Sequence, residues 1–128
     1  MYDYYGGKQR FPMIADDMMA AVDKADAAQF SRDEILDPSG WVLLNFLMDA
    51  RTGLGRFREF RLSNYALMMD LIKYCRDHTI EQILALPDVQ ERVVLYREHA
   101  IKAKEQLERC AIVLGNLVVL DLRSEDTI

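Results

Sequence analysis

The chain is poor in the residues that anchor several common chemistries. Its 128 residues hold two cysteines, Cys75 and Cys110, and two histidines, His78 and His99. Two cysteines do not make a disulfide framework. Each falls on the apolar face of a predicted helix, so reduced thiols in a cytoplasmic compartment are expected. The histidines stand far apart, one near a helix end and one on a polar helix face, outside any zinc-ligand spacing. No Ser/His/Asp or Cys/His grouping is present on which nucleophilic catalysis could rest. Long hydrophobic runs are also missing. None approaches the roughly 18 apolar residues of a spanning helix, and Met1–Gly7 has neither the basic start nor the apolar core of a secretory signal. A soluble protein with no membrane partner is expected. Positive charge is in deficit, with 16 Lys and Arg against 21 Asp and Glu and a net charge of −5. General attraction to nucleic acid or anionic membrane is therefore not expected, although a local basic patch can still bind anions.

What is present is globular. A hydrophobic fraction of 51% with 29% charged residues is enough for one real core, and the length is too short for two ordinary domains. The pattern is mainly α. Ile14, Met18, Ala21, Val22 and Ala25 recur at helical spacing, and the helix they define is predicted to start near Phe11 or Pro12. Ser31 with Glu34, and Thr79 with Gln82, match capping boxes for two short helices, and Ser63 suits the cap of a longer one. Trp41–Met48 is apolar almost all round, which predicts a buried helix; so short a run is also compatible with a buried strand.

From Pro87 onward Val89, Val93, Tyr96, Ala100, Ala103, Leu107, Cys110 and Leu114 alternate in steps of four and three. This heptad-like seam predicts one helix over residues 87–114. It reads either as a helix lying across its own domain or as a connector or dimer helix, with Val93, Tyr96, Ala100, Ala103 and Leu107 as the seam. After Gly115, Leu117–Leu122 reads as a lone β-strand, whose backbone groups would have to pair outside the chain or across a dimer.

Two clusters could carry chemistry. Arg51, Arg56, Arg58 and Arg61 fall within a glycine-bearing loop with Phe57 and Phe60 between them. Arginine's planar fork matches phosphate oxygens, and Gly53 and Gly55 would let backbone amides approach an anion. The alternative is a solvated loop whose arginines pair with Asp49 and Glu59. Thr52-Gly53-Leu54-Gly55 itself lacks the third glycine of a dinucleotide fingerprint and the lysine of a P-loop. The second cluster is Asp23 and Asp26, three apart and so on one helix face, among small neighbours. A hard cation such as Mn²⁺ or Mg²⁺ takes carboxylate oxygens but needs several of them; otherwise these are ordinary helix-end carboxylates.

Val22-Asp23-Lys24-Ala25-Asp26, Trp41-Val42-Leu43-Leu44, the stretch Met48-Asp49-Ala50-Arg51-Thr52-Gly53-Leu54-Gly55-Arg56-Phe57 and Leu62-Ser63-Asn64-Tyr65 together resemble DHH-family phosphoesterases, closest to the exopolyphosphatase-like branch. The resemblance covers nearly the whole chain. It implies a larger α/β protein in which two divalent metals, usually manganese, activate water against polyphosphate, nucleotides or short nucleic acids. In that frame Asp26 is similar to the last metal-binding aspartate, with Asp23 a weaker candidate. Arg51, Arg56 and Arg58 lie near the phosphate path. Residues 1–86 resemble the helical end of the metal-binding domain, 87–114 the connector helix, and 115–128 the opening strand of a second domain.

The departures are as informative. No Asp-His-His, no leading Asp-x-Asp and no glycine-rich histidine motif occurs, and two-metal hydrolysis needs both ions fully clamped. The resemblance therefore implies the middle of such an enzyme, inactive alone and binding no metal tightly, which associates with itself or with the missing domains. The other reading is a non-enzymatic helical protein that dimerises through the seam.

Overall fold

The computed structural model describes residues 1–56 and 58–128; Phe57, one of the two aromatics placed among the loop arginines, lies outside the described residues. The chain divides into two units, Met1–Arg92 and Val93–Ile128.

The first unit is helical. A 3₁₀ turn over Asp3–Tyr5 leads through Gly6 into α1 (Gly7–Arg10), and α2 (Asp16–Asp26) follows. The helix expected from Phe11 or Pro12 starts later, because Phe11 closes α1 and bonds Ile14 in a turn (3.1 Å). Ala15 is the extended cap, and Asp16 and Asp17 in the first turn complement the positive end of the helix dipole.

α2 ends in a Schellman motif. The Gln29 N–H donates to the Lys24 carbonyl (3.0 Å) and the Ala28 N–H to that of Ala25 (3.1 Å). This requires a left-handed residue, and Ala28 fills the position at φ +50°.

Local capping then sets the next elements as the sequence predicts. In α3 (Arg32–Leu36) the Glu34 N–H donates to Ser31 Oγ (3.2 Å) while the Ser31 N–H donates to Glu34 (2.9 Å). In α6 (Ile80–Leu84) the Thr79 and Gln82 pair repeats that exchange. Ser63 caps α5 (Asn64–Asp77) through the Ala66 N–H at 3.2 Å. The apolar run is a helix, α4 (Gly40–Met48), which packs on both α2 and α6. Leu43, Leu44 and Leu47 of α4, Leu67 of α5, Ile83 of α6 and Val89 are buried. At about 1.5–3 kcal/mol per buried aliphatic side chain, these contacts dominate the unit's stability.

The last helix, α7 (Pro87–Cys110), has proline in its first turn and runs 24 residues, about 36 Å. It ends four residues before the predicted Leu114. Ala111–Leu114 is a strand, β1, paired antiparallel with β2 (Leu117–Leu120), Ala111 facing Leu120 and Leu114 facing Leu117. The mainly α class with a β element at the carboxyl end therefore holds, and the expectation of a strand without a partner in the chain is corrected. Gly115, at φ +62°, and Asn116 form the two-residue turn that closes the hairpin. All eight strand residues are exposed. Within this second unit, Arg109 pairs with Glu125 and Gln106 donates to the Asp126 carbonyl (2.8 Å), which ties the last residues back to α7.

Candidate phosphate-binding site

The arginine loop is built from the end of α4. Asp49 closes that helix, and its carboxylate accepts the Arg51 backbone N–H (2.8 Å), Arg51 Nε (2.9 Å) and Arg51 Nη2 (2.6 Å). The Arg51 side chain, then its backbone amide, hold Asp49 below the usual carboxylate range. A 3₁₀ turn, Ala50–Thr52, ends at Gly53 with φ +69°, and Leu54 is buried behind it. Gly55, at φ +76°, has no room for a side chain: a Cβ there would collide with the Phe60 ring.

The far side of the loop is fastened to the first turns of α7. Arg58 faces Glu91 at 3.8 Å, and Arg61 pairs with Asp88. The predicted surface pairing is thus realised for Arg51 through Asp49, whereas Arg58 takes Glu91 in place of Glu59. Arg56 is exposed and makes no ion pair among the described residues.

The residue that organises this region was not singled out by sequence reasoning. Arg92 is fully buried. Its Nε and Nη2 donate to Asn64 Oδ1 (2.9 and 2.8 Å), Nη2 also to the Leu62 carbonyl (2.6 Å), and Nη1 to the Asp88 carbonyl (2.8 Å). Its guanidinium carbon lies 4.0 Å from the Phe60 ring centroid. The available signal was position: Arg92 stands three residues after Val89 and shares its inward face.

The aspartates present a different picture. Asp23 is exposed, and Asp26 stands at the rim of an apolar groove of about 610 Å³ between α2, α4 and α5. Met13, Met18, Leu44, Met48, Met68 and Ile72 are among its walls, Arg76 is its one basic lining residue, and Cys75 lies in it with its thiol pushed up by burial. None of Arg51, Arg56 and Arg58 lines this groove. Among the described residues no three His, Cys, Asp or Glu side chains converge to hold an ion. Asp23 and Asp26 supply at most two carboxylates, fewer protein donors than a two-metal centre needs to clamp both ions.

Elsewhere on α2, Lys24 pairs with Glu34 and Asp17 accepts the Trp41 Nε1–H at 2.8 Å. Along the seam Val93 is buried and Tyr96 and Ala103 are half-buried, while Ala100 and Leu107 are exposed. His78 caps α5 and lies edge-on to Tyr74. Both cysteines are free, and no helix among the described residues is long and apolar enough to cross a membrane.

No family model matches the sequence, and no curated protein matches it. Among solved structures the chain is similar to a pGpG-specific phosphodiesterase, PggH, from Vibrio cholerae. The identity is 60% and the TM-score 0.87, over 99% of this chain and 43% of that one. The chain therefore spans less than half the length of the enzyme it matches. The likeness supports the DHH-type phosphoesterase resemblance at the coarse level, without reaching its exopolyphosphatase-like branch.

Proposed function

We propose that this chain is a portion of a divalent-metal-dependent phosphoesterase acting on a short nucleotide phosphodiester, and that its arginine loop lies along the phosphate path. The observation that carries this reading is the 60% identity, over 99% of the chain, to a phosphodiesterase whose substrate is the dinucleotide pGpG. Of the substrates implied by the resemblance, a dinucleotide is the one that likeness favours over polyphosphate. The exopolyphosphatase-like branch rests only on the sequence resemblance of residues 22–26, 41–44, 48–57 and 62–65. Mn²⁺ or Mg²⁺ in the whole protein would supply Lewis-acid activation of water. Asp26 is offered as a ligand, with Asp23 the weaker candidate, and the remaining donors must come from other residues of the enzyme. The contribution of this chain is then electrostatic and positional: Arg51, Arg56 and Arg58 would bring positive charge to the phosphate path, Arg51 and Arg58 already facing Asp49 and Glu91 and Arg56 without an ion pair among the described residues.

The test uses this chain with pGpG and Mn²⁺. The expected result is measurable pGpG binding that falls on joint charge reversal at Arg51 and Arg56, with no hydrolysis. Unchanged affinity in that variant dismisses the arginine loop, and turnover by the chain alone contradicts the incomplete metal set.

A second reading, self-association, is favoured by one observation. Ile112, Val113, Leu114, Leu117 and Val118 of the hairpin are each more than half exposed, and a two-stranded hairpin leaves both outer edges unpaired. Sedimentation velocity across a hundredfold concentration range should show dimer formation that Val118→Lys abolishes. A monomer throughout removes this reading.

A further inference from the structure

We infer that Arg92 is the positioning residue of the arginine loop, and that Arg56 is the side chain it leaves free to meet substrate phosphate. The inference rests on the phosphate-path reading above and deepens it.

Arg92 carries a positive charge to full burial, yet among the described residues every oxygen that accepts from it belongs to a neutral group: Asn64 Oδ1 and the Leu62 and Asp88 carbonyls. A buried cation hydrogen-bonded to neutral groups is costly even with the Glu91 and Asp88 charges nearby, and an apolar side chain would fill such a site more cheaply. What the guanidinium supplies instead is geometry. Leu62 is the loop's exit, Asn64 opens α5, and Asp88 lies in the first turn of α7, so one planar fork fixes three chain segments.

From there a line of contacts runs into the loop. Arg92 stacks on Phe60, and the Phe60 ring fills the space beside Gly55, the residue before Arg56. The same arrangement sorts the arginines by charge. Arg51 is bound by Asp49, Arg58 faces Glu91 and Arg61 is taken by Asp88. Arg56 alone of the four has no ion pair among the described residues, and it stands exposed on a backbone whose course the Gly55–Phe60–Arg92 stack determines. A nucleotide phosphate would meet an uncompensated guanidinium there, and compensated ones on either side.

Calorimetric titration of the chain with pGpG tests this through a double-mutant cycle. Arg56→Ala should weaken binding by about tenfold, the usual loss for a charge-assisted hydrogen bond. Arg92→Lys keeps the charge but loses the fork, and should cost a similar factor. The double variant should lose no more than either single one, because a displaced loop no longer presents Arg56. Gly55→Ala pushes the Phe60 ring from the other side and should give the same loss, also without adding to Arg56→Ala; it carries the test if Arg92→Lys does not fold. Asn64→Asp, which preserves the acceptor, should retain affinity within about twofold.

Losses that multiply in the double variant would assign Arg92 a merely structural role and overturn the inference, as would full affinity in Arg92→Lys or in Arg56→Ala. In those cases binding by the unsubstituted chain leaves the phosphate-path reading standing. Absence of pGpG binding by the unsubstituted chain overturns both.

Discussion

Two apolar stretches of this chain meet opposite fates. Trp41–Met48 becomes α4 and buries Leu43, Leu44 and Leu47 between neighbouring helices. Ala111–Leu120 is equally apolar, yet its hairpin exposes every strand residue. Both form regular backbone structure, the helix by bonding within itself and the hairpin by pairing its two inner edges. They differ in whether another element covers them. Hydrophobicity in a sequence marks a surface to be covered, and does not say what will cover it.

The comparison can be broken by substitution. Leu47→Ala should destabilise the chain by about 2–5 kcal/mol, the usual cost of an unfilled leucine site, measured by urea denaturation. A cost below 1 kcal/mol would mean that α4 is not the core. Gly55→Ala should cost more than about 1 kcal/mol, since it needs a left-handed alanine as well as movement of Phe60. In the other direction, Ala28→Gly should stabilise by about 1 kcal/mol by relieving the same conformation at the end of α2. A loss of stability there would show that the methyl group has a packing role. Val118→Thr, on the hairpin, should change stability by less than about 0.5 kcal/mol in the isolated chain. A larger effect would show that the hairpin is covered in solution.

The smallest effect concerns pH. Trp41, the only tryptophan, donates to Asp17 and thereby holds that carboxyl below its ordinary range. A depressed carboxylate contributes stability that is present above its unfolded pKa and is lost as pH falls through the folded one. Trp41 fluorescence should therefore be flat from neutrality down through the ordinary aspartate range and change only below it. In Asp17→Asn that acid transition should disappear; its persistence would assign it to another group.

The sequence was most legible where structure is local. The Ser31, Ser63 and Thr79 caps each involve residues no more than three apart, so their signals sit in one window. The hairpin was obscured because Cys110 and Leu114 continue the steps of the α7 seam, and that periodicity outweighed the Gly115-Asn116 turn. Arg92 was illegible for a different reason. Its partners Leu62 and Asn64 lie 30 and 28 residues away, so a charge that reads as solvated becomes interior only through the tertiary fold. Asp26 shows the complementary limit: the family resemblance assigned it a role, while its immediate surroundings are an apolar groove.

That groove has a chemical consequence of its own. Four of its lining side chains, Met13, Met18, Met48 and Met68, are thioethers, and Met13 and Met68 are about half exposed. Peroxide would convert such accessible sulfurs to sulfoxides, placing polar S=O groups on a wall suited to hydrocarbon. The wall would thereby turn from apolar to polar through a reversible oxidation, with no change to the polypeptide backbone.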